Sequence, residues 1–290
     1  MLKYNNELSN KNRLQLESTC EANHTKEADG QVFKWILNGH QECAVGNRIL
    51  SVHPDSFLIL NEGSKYVEKI DSIAPVNTFT ITFSQQFIAD FNNSYECTID
   101  ELLNSKTNEK NTPQFLEAIY PFIGDMRYTI LHLKDQIDQG VSDELLFNEY
   151  LNHCLLNYYK IYKKEVLARA DKLSFAKNKT RIEILKRLSI AKDYMISNYN
   201  KTFSLEDVAS TACLSVNHLL RTFKEAYGNS PYQYLTNIRL SRAKYLLRTT
   251  KCQINEIVTL VGFECPSSFI RLFKTKFQTT PVNYRRNWLS

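Results

Sequence analysis

The sequence predicts an α+β chain: a strand-rich first half with helices after it, then an all-α second half with two helix-turn-helix motifs. Three observations carry this expectation. Short apolar runs alternate with turn residues between Gln31 and Ile88. The pattern changes to helical spacing after Pro113. Charge divides sharply, with 17 Lys+Arg against 24 Asp+Glu in residues 1–175 (net −7) and 19 against 7 in residues 176–290 (net +12).

The chain has 290 residues, 43% hydrophobic and 23% charged, enough for two domains with cores of their own. No apolar run approaches the ~20 residues that cross a bilayer. The polar start, MLKYNNELSNKNRL, lacks the apolar centre of a secretory signal, so a cytoplasmic protein is expected. The seven cysteines, at 20, 43, 97, 154, 213, 252 and 265, contain no CxxC pair and read as reduced thiols. The overall net charge of +5 hides the basic second half, whose pattern suits a polyanion; the alternatives are simple solubility or docking on the acidic half.

In order along the chain, VFKWIL, NRILSV, SFLIL, KYVEKI and TFTITF read as strands. Asn38-Gly39, Gly46-Asn47, His53-Pro54-Asp55, Asn61-Glu62-Gly63 and Ala74-Pro75 separate them. Such short, regular strands predict a small antiparallel barrel or sandwich over about 30–90. Helices follow over about 113–173, with Pro121 and Gly124 dividing the first of them. Residues 142–172 read as one long helix opened by Ser142. Its stripe of Leu145, Leu146, Leu155, Leu156, Tyr159, Tyr162, Val166 and Leu167 packs on its own domain or on a second copy in a homodimer. Residues 1–173 thus form one domain, 174–180 a linker, and 181–290 a second domain.

That second domain repeats itself. LLRTFKEAYGNSPYQY from Leu219 aligns with FIRLFKTKFQTTPVNY from Phe269 at an offset of 50, matching Arg221 to Arg271, Phe223 to Phe273, Pro231 to Pro281 and Tyr234 to Tyr284. Upstream the offset is 49, so the extra residue falls in a turn. Each copy carries helix-turn-helix punctuation, over about 204–227 and 253–278. In the first, Ser204 with Asp207 forms a capping box, Cys213-Leu214 makes the turn, Ser215 caps the second helix and Gly228 ends it. Ser230-Pro231 opens a helix to Arg248 between the copies. In the second, Ile254, Ile257 and Val261 point inward, Gly262 allows the turn, and a helix runs from about Pro266 to Gln278.

The strings RTFKEAYGNSPYQYL, IRLSRAKYLL and INEIVTLVGFECPSSFIRLFKTKFQTTPVNYRR make residues 181–290 resemble the AraC/XylS-type transcriptional regulators. The resemblance implies a sequence-specific DNA-binding regulator, more often an activator, with double-stranded DNA and RNA polymerase as partners. It also implies a cupin-like β-barrel over about 30–90 that senses a small effector or a partner. No cofactor is implied. By the resemblance, Val216, Asn217, Leu220 and Arg221 read bases from the first recognition helix, with Ser215 near phosphate. Pro266, Ser267, Ser268, Ile270 and Arg271 match them on the second. Lys224 and Lys274 face phosphates or solvent, and His218 reaches phosphate or packs. Arg221 and Arg271 can each bind guanine with two hydrogen bonds or form a structural salt bridge. Three departures from the family pattern stand out: Val258 for a small alanine, Gln278 for glycine, and apolar Leu220 and Ile270 where polar readers are usual.

The rival readings are a barrel enzyme fused to a DNA-binding module and a thiol redox sensor using Cys20, Cys43 or Cys97. Neither has a recognisable reactive motif. His24, His40 and His53 are isolated and no H-x-H exists, so no metal site is expected.

Overall fold

Strand pairing in the first half is organised by two long strands. The computed structural model describes residues 2–96 and 115–289, and the chain divides into two units, Met1–Ala168 and Arg169–Ser290. The first unit contains β1 (Leu2–Glu7), β2 (Arg13–Glu27), β3 (Gln31–Asn38), β4 (Gln41–Val45), β5 (Arg48–Val52), β6 (Ser56–Leu60), β7 (Lys65–Phe83) and β8 (Ile119–Pro121). All pairings are antiparallel, in the order β1-β2-β7-β3-β6-β8, with β4 joining β5 and β7. The path runs from β1 to β8 without returning on itself. It is an open antiparallel sheet, and the closed barrel expected from the resemblance is not formed by these pairings.

Two expectations are corrected by β7. KYVEKI and TFTITF are parts of one strand, and residues before 30 supply β1 and β2. The ladder to β2 breaks between Thr19/Glu21, where Thr19 pairs with Val76 and Glu21 with Asp71. Pro75 lies in the looped-out stretch, so its missing N–H removes no ladder bond. Ile73, in the same stretch, is fully exposed.

Period-two alternation then separates two faces. Phe79, Ile81 and Phe83 of β7 lie beside Phe33 and Trp35 of β3, all buried. The rings of Trp35 and Phe57 stack at 5.4 Å, and Tyr158 meets Phe33 edge-on at 5.3 Å. Thr78, Thr80, Thr82 and Lys34 occupy the opposite face. Lys34 and Glu68, each with a 2% exposed side chain, form an ion pair there, and Lys26 reaches Glu68 at 3.0 Å. Burial alone would raise the Glu68 pKa, but the Lys34 and Lys26 ammoniums outweigh it and hold the carboxyl below its ordinary value.

Among the described residues, the helices of this unit are α1 (Gln85–Glu96), α2 (Gly124–Asp138) and α3 (Glu144–Tyr162), the last continued by a π-helical turn at Lys163–Leu167. Met126, Ile130 and Leu133 of α2 and Phe147, Leu151, Cys154 and Tyr158 of α3 are buried. The stretch before Pro121 is not helical: Ile119–Pro121 pairs with β6, because it continues a sheet edge. Asp143, not Ser142, caps α3, accepting from the Leu145 and Leu146 amides. Leu145 and Leu167, expected on the packing stripe, are exposed, while the buried stripe begins at Phe147. Cys97 and the expected helix start near Pro113 lie outside the described residues.

The second unit holds α4 (Asn178–Ser197), α5 (Leu205–Thr211), α6 (Val216–Tyr227), α7 (Pro231–Thr249), α8 (Ile254–Leu260), α9 (Pro266–Phe277) and α10 (Pro281–Leu289). The opening turn of α4 includes residues 178–180, expected as linker. Leu185, Leu188, Ala191 and Met195 of α4 are buried, as are Val208, Leu219 and Phe223 of α5 and α6. A second cluster joins Leu240, Ala243 and Leu247 of α7 to Ile257, Val258 and Val261, and to Phe269 and Phe273 of α9. Val258 is buried in it, so the larger side chain is used for packing. No described helix is long and apolar enough to cross a membrane.

Removing one partner of the buried pair leaves a desolvated charge, so Glu68→Ala should lower stability by about 3–5 kcal/mol in urea unfolding. Because the folded Glu68 pKa lies below its ordinary 4.5, its stabilisation is present above pH 4.5 and is lost as pH falls through the folded value. Glu68→Gln should flatten that acid limb; an unchanged limb would contradict the assignment.

Candidate nucleic-acid interface

The two helix-turn-helix units start their second helices differently, with a Ser215 side-chain cap on α6 and a first-turn Pro266 on α9, and end both in the left-handed region. Ser204 accepts from the Asp207 amide at 3.1 Å, and the Asp207 carboxylate accepts from the Ser204 amide at 2.8 Å, fixing the start of α5. The Ser204 backbone N–H and hydroxyl hold the Asp207 carboxyl below its ordinary pKa. Cys213 takes a positive φ of 53° in the turn, its carbonyl accepting from Arg187 Nη1 at 3.0 Å. Ser215 then caps α6 by accepting from the His218 amide at 3.3 Å. Gly228, at φ 72°, ends the helix in the left-handed region, where glycine carries no Cβ penalty.

Helix α6 buries Leu219, Thr222, Phe223, Ala226 and Tyr227. Asn217, Arg221 and Lys224 follow at helical spacing on the opposite side and are exposed, with Val216 and Leu220 half-buried at the margin and Ser215 exposed at the cap. His218 is half-buried with its ring edge-on to Phe175 at 6.0 Å, so it packs and does not project outward.

Helix α9 repeats this division. Phe269 and Phe273 are buried, while Pro266, Ser267, Ile270, Arg271 and Lys274 are exposed and Ser268 is half-buried. The helix ends at Gln278 in the same left-handed conformation, φ 56°, and its Nε2 donates to the Thr275 carbonyl at 2.9 Å. Among the described residues, Arg221, Lys224, Arg271 and Lys274 have no carboxylate within ion-pair distance. The salt-bridge alternative is therefore not realised, and four cations on two matching helix faces are left without a protein counter-charge.

Both helices are braced on α7. Phe223, Tyr227 and Tyr234 form a ring cluster with centroids 4.4 to 5.5 Å apart. Lys276 Nζ donates to the Asn237 carbonyl at 2.9 Å, and Phe273 contacts Phe277 at 4.6 Å.

Sequence reasoning missed Cys265 as a feature of this surface. It is the N-cap residue of α9, exposed, with Sγ 3.1 Å from Ser267 Oγ. Hydrogen bonds from the Ser267 side chain and the Ser268 backbone lower its thiol to about 7. The Cys-Pro-Ser-Ser string was the available signal. By contrast, Cys43 is buried and burial pushes its thiol up to about 12, which removes it as a reactive thiolate. Among the described residues, no three His, Cys, Asp or Glu gather where they could hold a metal ion.

Comparison with known proteins agrees with this geometry. A family model described as a helix-turn-helix domain matches residues 208–287. The Tn10 TetD protein of Escherichia coli is 36% identical over 104 residues, covering 35% of this chain and 75% of that protein. The lactose operon transcription activator of Staphylococcus xylosus is 28% identical over 159 residues, 55% of this chain and 53% of its own length. The chain thus spans about half of that relative. The raffinose operon transcriptional regulatory protein of Pediococcus pentosaceus is 23% identical over 282 residues, covering 93% of this chain and 91% of that protein.

Two outcomes follow from the caps. Iodoacetamide labelling of Cys265, followed by peptide mass spectrometry, should rise through about pH 7, and Ser267→Ala should move the inflection upward; an inflection near the ordinary 9.0 would contradict the hydrogen-bonded thiol. Gln278→Gly should raise the unfolding midpoint, since relieving a left-handed non-glycine residue is worth about 1 kcal/mol.

Proposed function

Because the chain belongs to the AraC/XylS-type family of DNA-binding transcription regulators, we propose that it recognises a specific duplex by placing α6 and α9 in successive major grooves. The observation that carries this reading is the pair of matching outer faces, Asn217-Arg221-Lys224 and Ser267-Arg271-Lys274, whose cations have no carboxylate partner among the described residues. Arg221 and Arg271 each offer a planar fork that fits guanine O6 and N7. Asn217, Ser267 and Ser268 supply shorter polar contacts, while Val216, Leu220, Pro266 and Ile270 offer apolar contact with thymine methyls. Ser215, Lys224 and Lys274 bind phosphate.

The sign of regulation is activation, through contact with RNA polymerase. The name of the Staphylococcus xylosus relative supports that sign. The first unit is the sensor. One face of its open sheet carries a half-open polar cleft of about 300 Å³ lined by Gln15, Glu17, Lys26, Tyr66, Glu68 and Thr80, which suits a small polar effector. The likeness to the raffinose operon transcriptional regulatory protein extends across this unit and supports a part for it in transcriptional regulation. The protein acts in the cytoplasm, and α2 and α3 carry exposed Tyr128 and Leu145, which support a homodimer contact there.

Selection of duplexes from a random library by the intact chain tests the reading. The wild type should enrich one motif with two half-sites, and Arg221→Ala or Arg271→Ala should relax one half-site each, with about 1–3 kcal/mol lost at the affected base pair. Uniform weakening across all sequences would reduce both arginines to backbone contacts. If about six phosphates are neutralised, affinity should fall around 10³-fold between 50 and 200 mM salt.

A further inference from the structure

The two helix-turn-helix units are joined covalently by α7, yet a second connection runs beside that helix. Arg239 lies in the middle of α7. Its Nε donates to the Tyr199 carbonyl at 2.7 Å and its Nη2 to the Lys201 carbonyl at 3.2 Å. Tyr199 and Lys201 belong to the segment that leads from α4 into α5, the first helix of the first helix-turn-helix unit. The same guanidinium lies 5.9 Å from the ring centroid of Phe263, in the turn of the second unit. One side chain therefore touches the entrance of one unit and the turn of the other.

Two further contacts close the junction. The Tyr199 side chain packs against the hydrophobic cluster of the second unit, and the Arg242 guanidinium lies 5.6 Å from its ring centroid. Gly262, at φ 82°, brings the second turn against the first unit's backbone. A Cβ there would stand 3.0 Å from Asn200 Cα, 3.0 Å from the Tyr199 carbonyl oxygen and 3.1 Å from Arg239 Nη2. The chain approaches itself this closely because the residue has no side chain and tolerates the left-handed backbone. A helix of 19 residues is about 28 Å long, and its start packs on the first unit through Tyr234 while Leu240, Ala243 and Leu247 pack on the second. The Arg239–Gly262 junction adds a direct contact between the entrance of the first unit and the turn of the second beside that helix.

We propose that Arg239, seated against Gly262, is a positioning residue that fixes the two recognition helices in one relative orientation and so determines which half-site separation the protein accepts. This rests on the reading that α6 and α9 both enter DNA. Neither Arg239 nor Gly262 lies on a recognition helix. A change of one base pair between half-sites moves the second groove by about 3.4 Å along the axis and by about a tenth of a turn around it. A pair of units held by the junction rejects that displacement, whereas a pair that has lost the direct contact beside α7 tolerates more of it.

The test uses the full chain, the duplex it selects, and derivatives of that duplex with one or two base pairs added or removed between half-sites. Affinity is measured by fluorescence anisotropy at constant salt, and the unfolding midpoint is measured in parallel. Wild type should lose about tenfold, or 1.4 kcal/mol, for each single-pair change. Arg239→Met should weaken binding to the selected duplex and flatten the series to within about threefold, equivalent to less than 0.7 kcal/mol. Arg239→Lys, which keeps the charge and one donor, should fall between them and guards against misfolding of the first variant. A merely stabilising role would lower the midpoint or all affinities together while the shape of the spacing profile stayed that of wild type; parallel profiles overturn the proposal. A wild-type chain that selects no duplex overturns the DNA reading itself and this inference with it.

Discussion

The apolar stripe on one side of each recognition helix is the constraint on which the remaining surface depends. Leu219 and Phe223 fix α6, and Phe269 and Phe273 fix α9, with all four fully buried. Burying a phenylalanine contributes about 1.5–3 kcal/mol, more than the ~1 kcal/mol of a single cap. The stripes therefore decide which face of each helix is free, while Ser215, Pro266, Gly228 and Gln278 decide where each helix begins and ends. Arg221 and Arg271 are exposed as a consequence, since each lies on the face that the stripe leaves outside.

Helix α7 gives both stripes a common wall. Its capping box of Ser230 and Gln233 and its first-turn Pro231 start it immediately after α6 ends. Tyr234 near its start meets Phe223 and Tyr227, and Leu240, Ala243 and Leu247 farther along enter the second cluster. The same helix supplies Arg239 to the junction between the units. Packing, chain connection and the proposed DNA geometry are thus carried by one element, which explains why so few residues separate the two motifs.

The second unit was legible in the sequence because its determinants are local. Caps, turn residues and inward stripes act within a few residues, and the internal repeat displays them twice. The Ser204–Asp207 box, the Ser215 cap and the left-handed Gly228 all stand where their spacing puts them. The first unit depends on partners distant in sequence. Pro75 reads as a break, but β7 passes through it because the ladder to β2 is already interrupted there. Ile119–Pro121 looks like part of a helix and becomes a strand because β6 offers an edge. The Lys34–Glu68 pair had no sequence signal, since its residues are 34 apart and each alone resembles an ordinary surface charge. At the interface, the candidate residues were legible but the junction was not. Arg239 and Gly262 meet only after the two units are folded.

Hydroxyl-radical footprinting of the intact chain on its selected duplex tests the central claim most directly. Two protected windows on one face of the DNA, with centres about 10 base pairs apart, are the result that two recognition helices in consecutive grooves predict. A single window, or two on opposite faces, would contradict it.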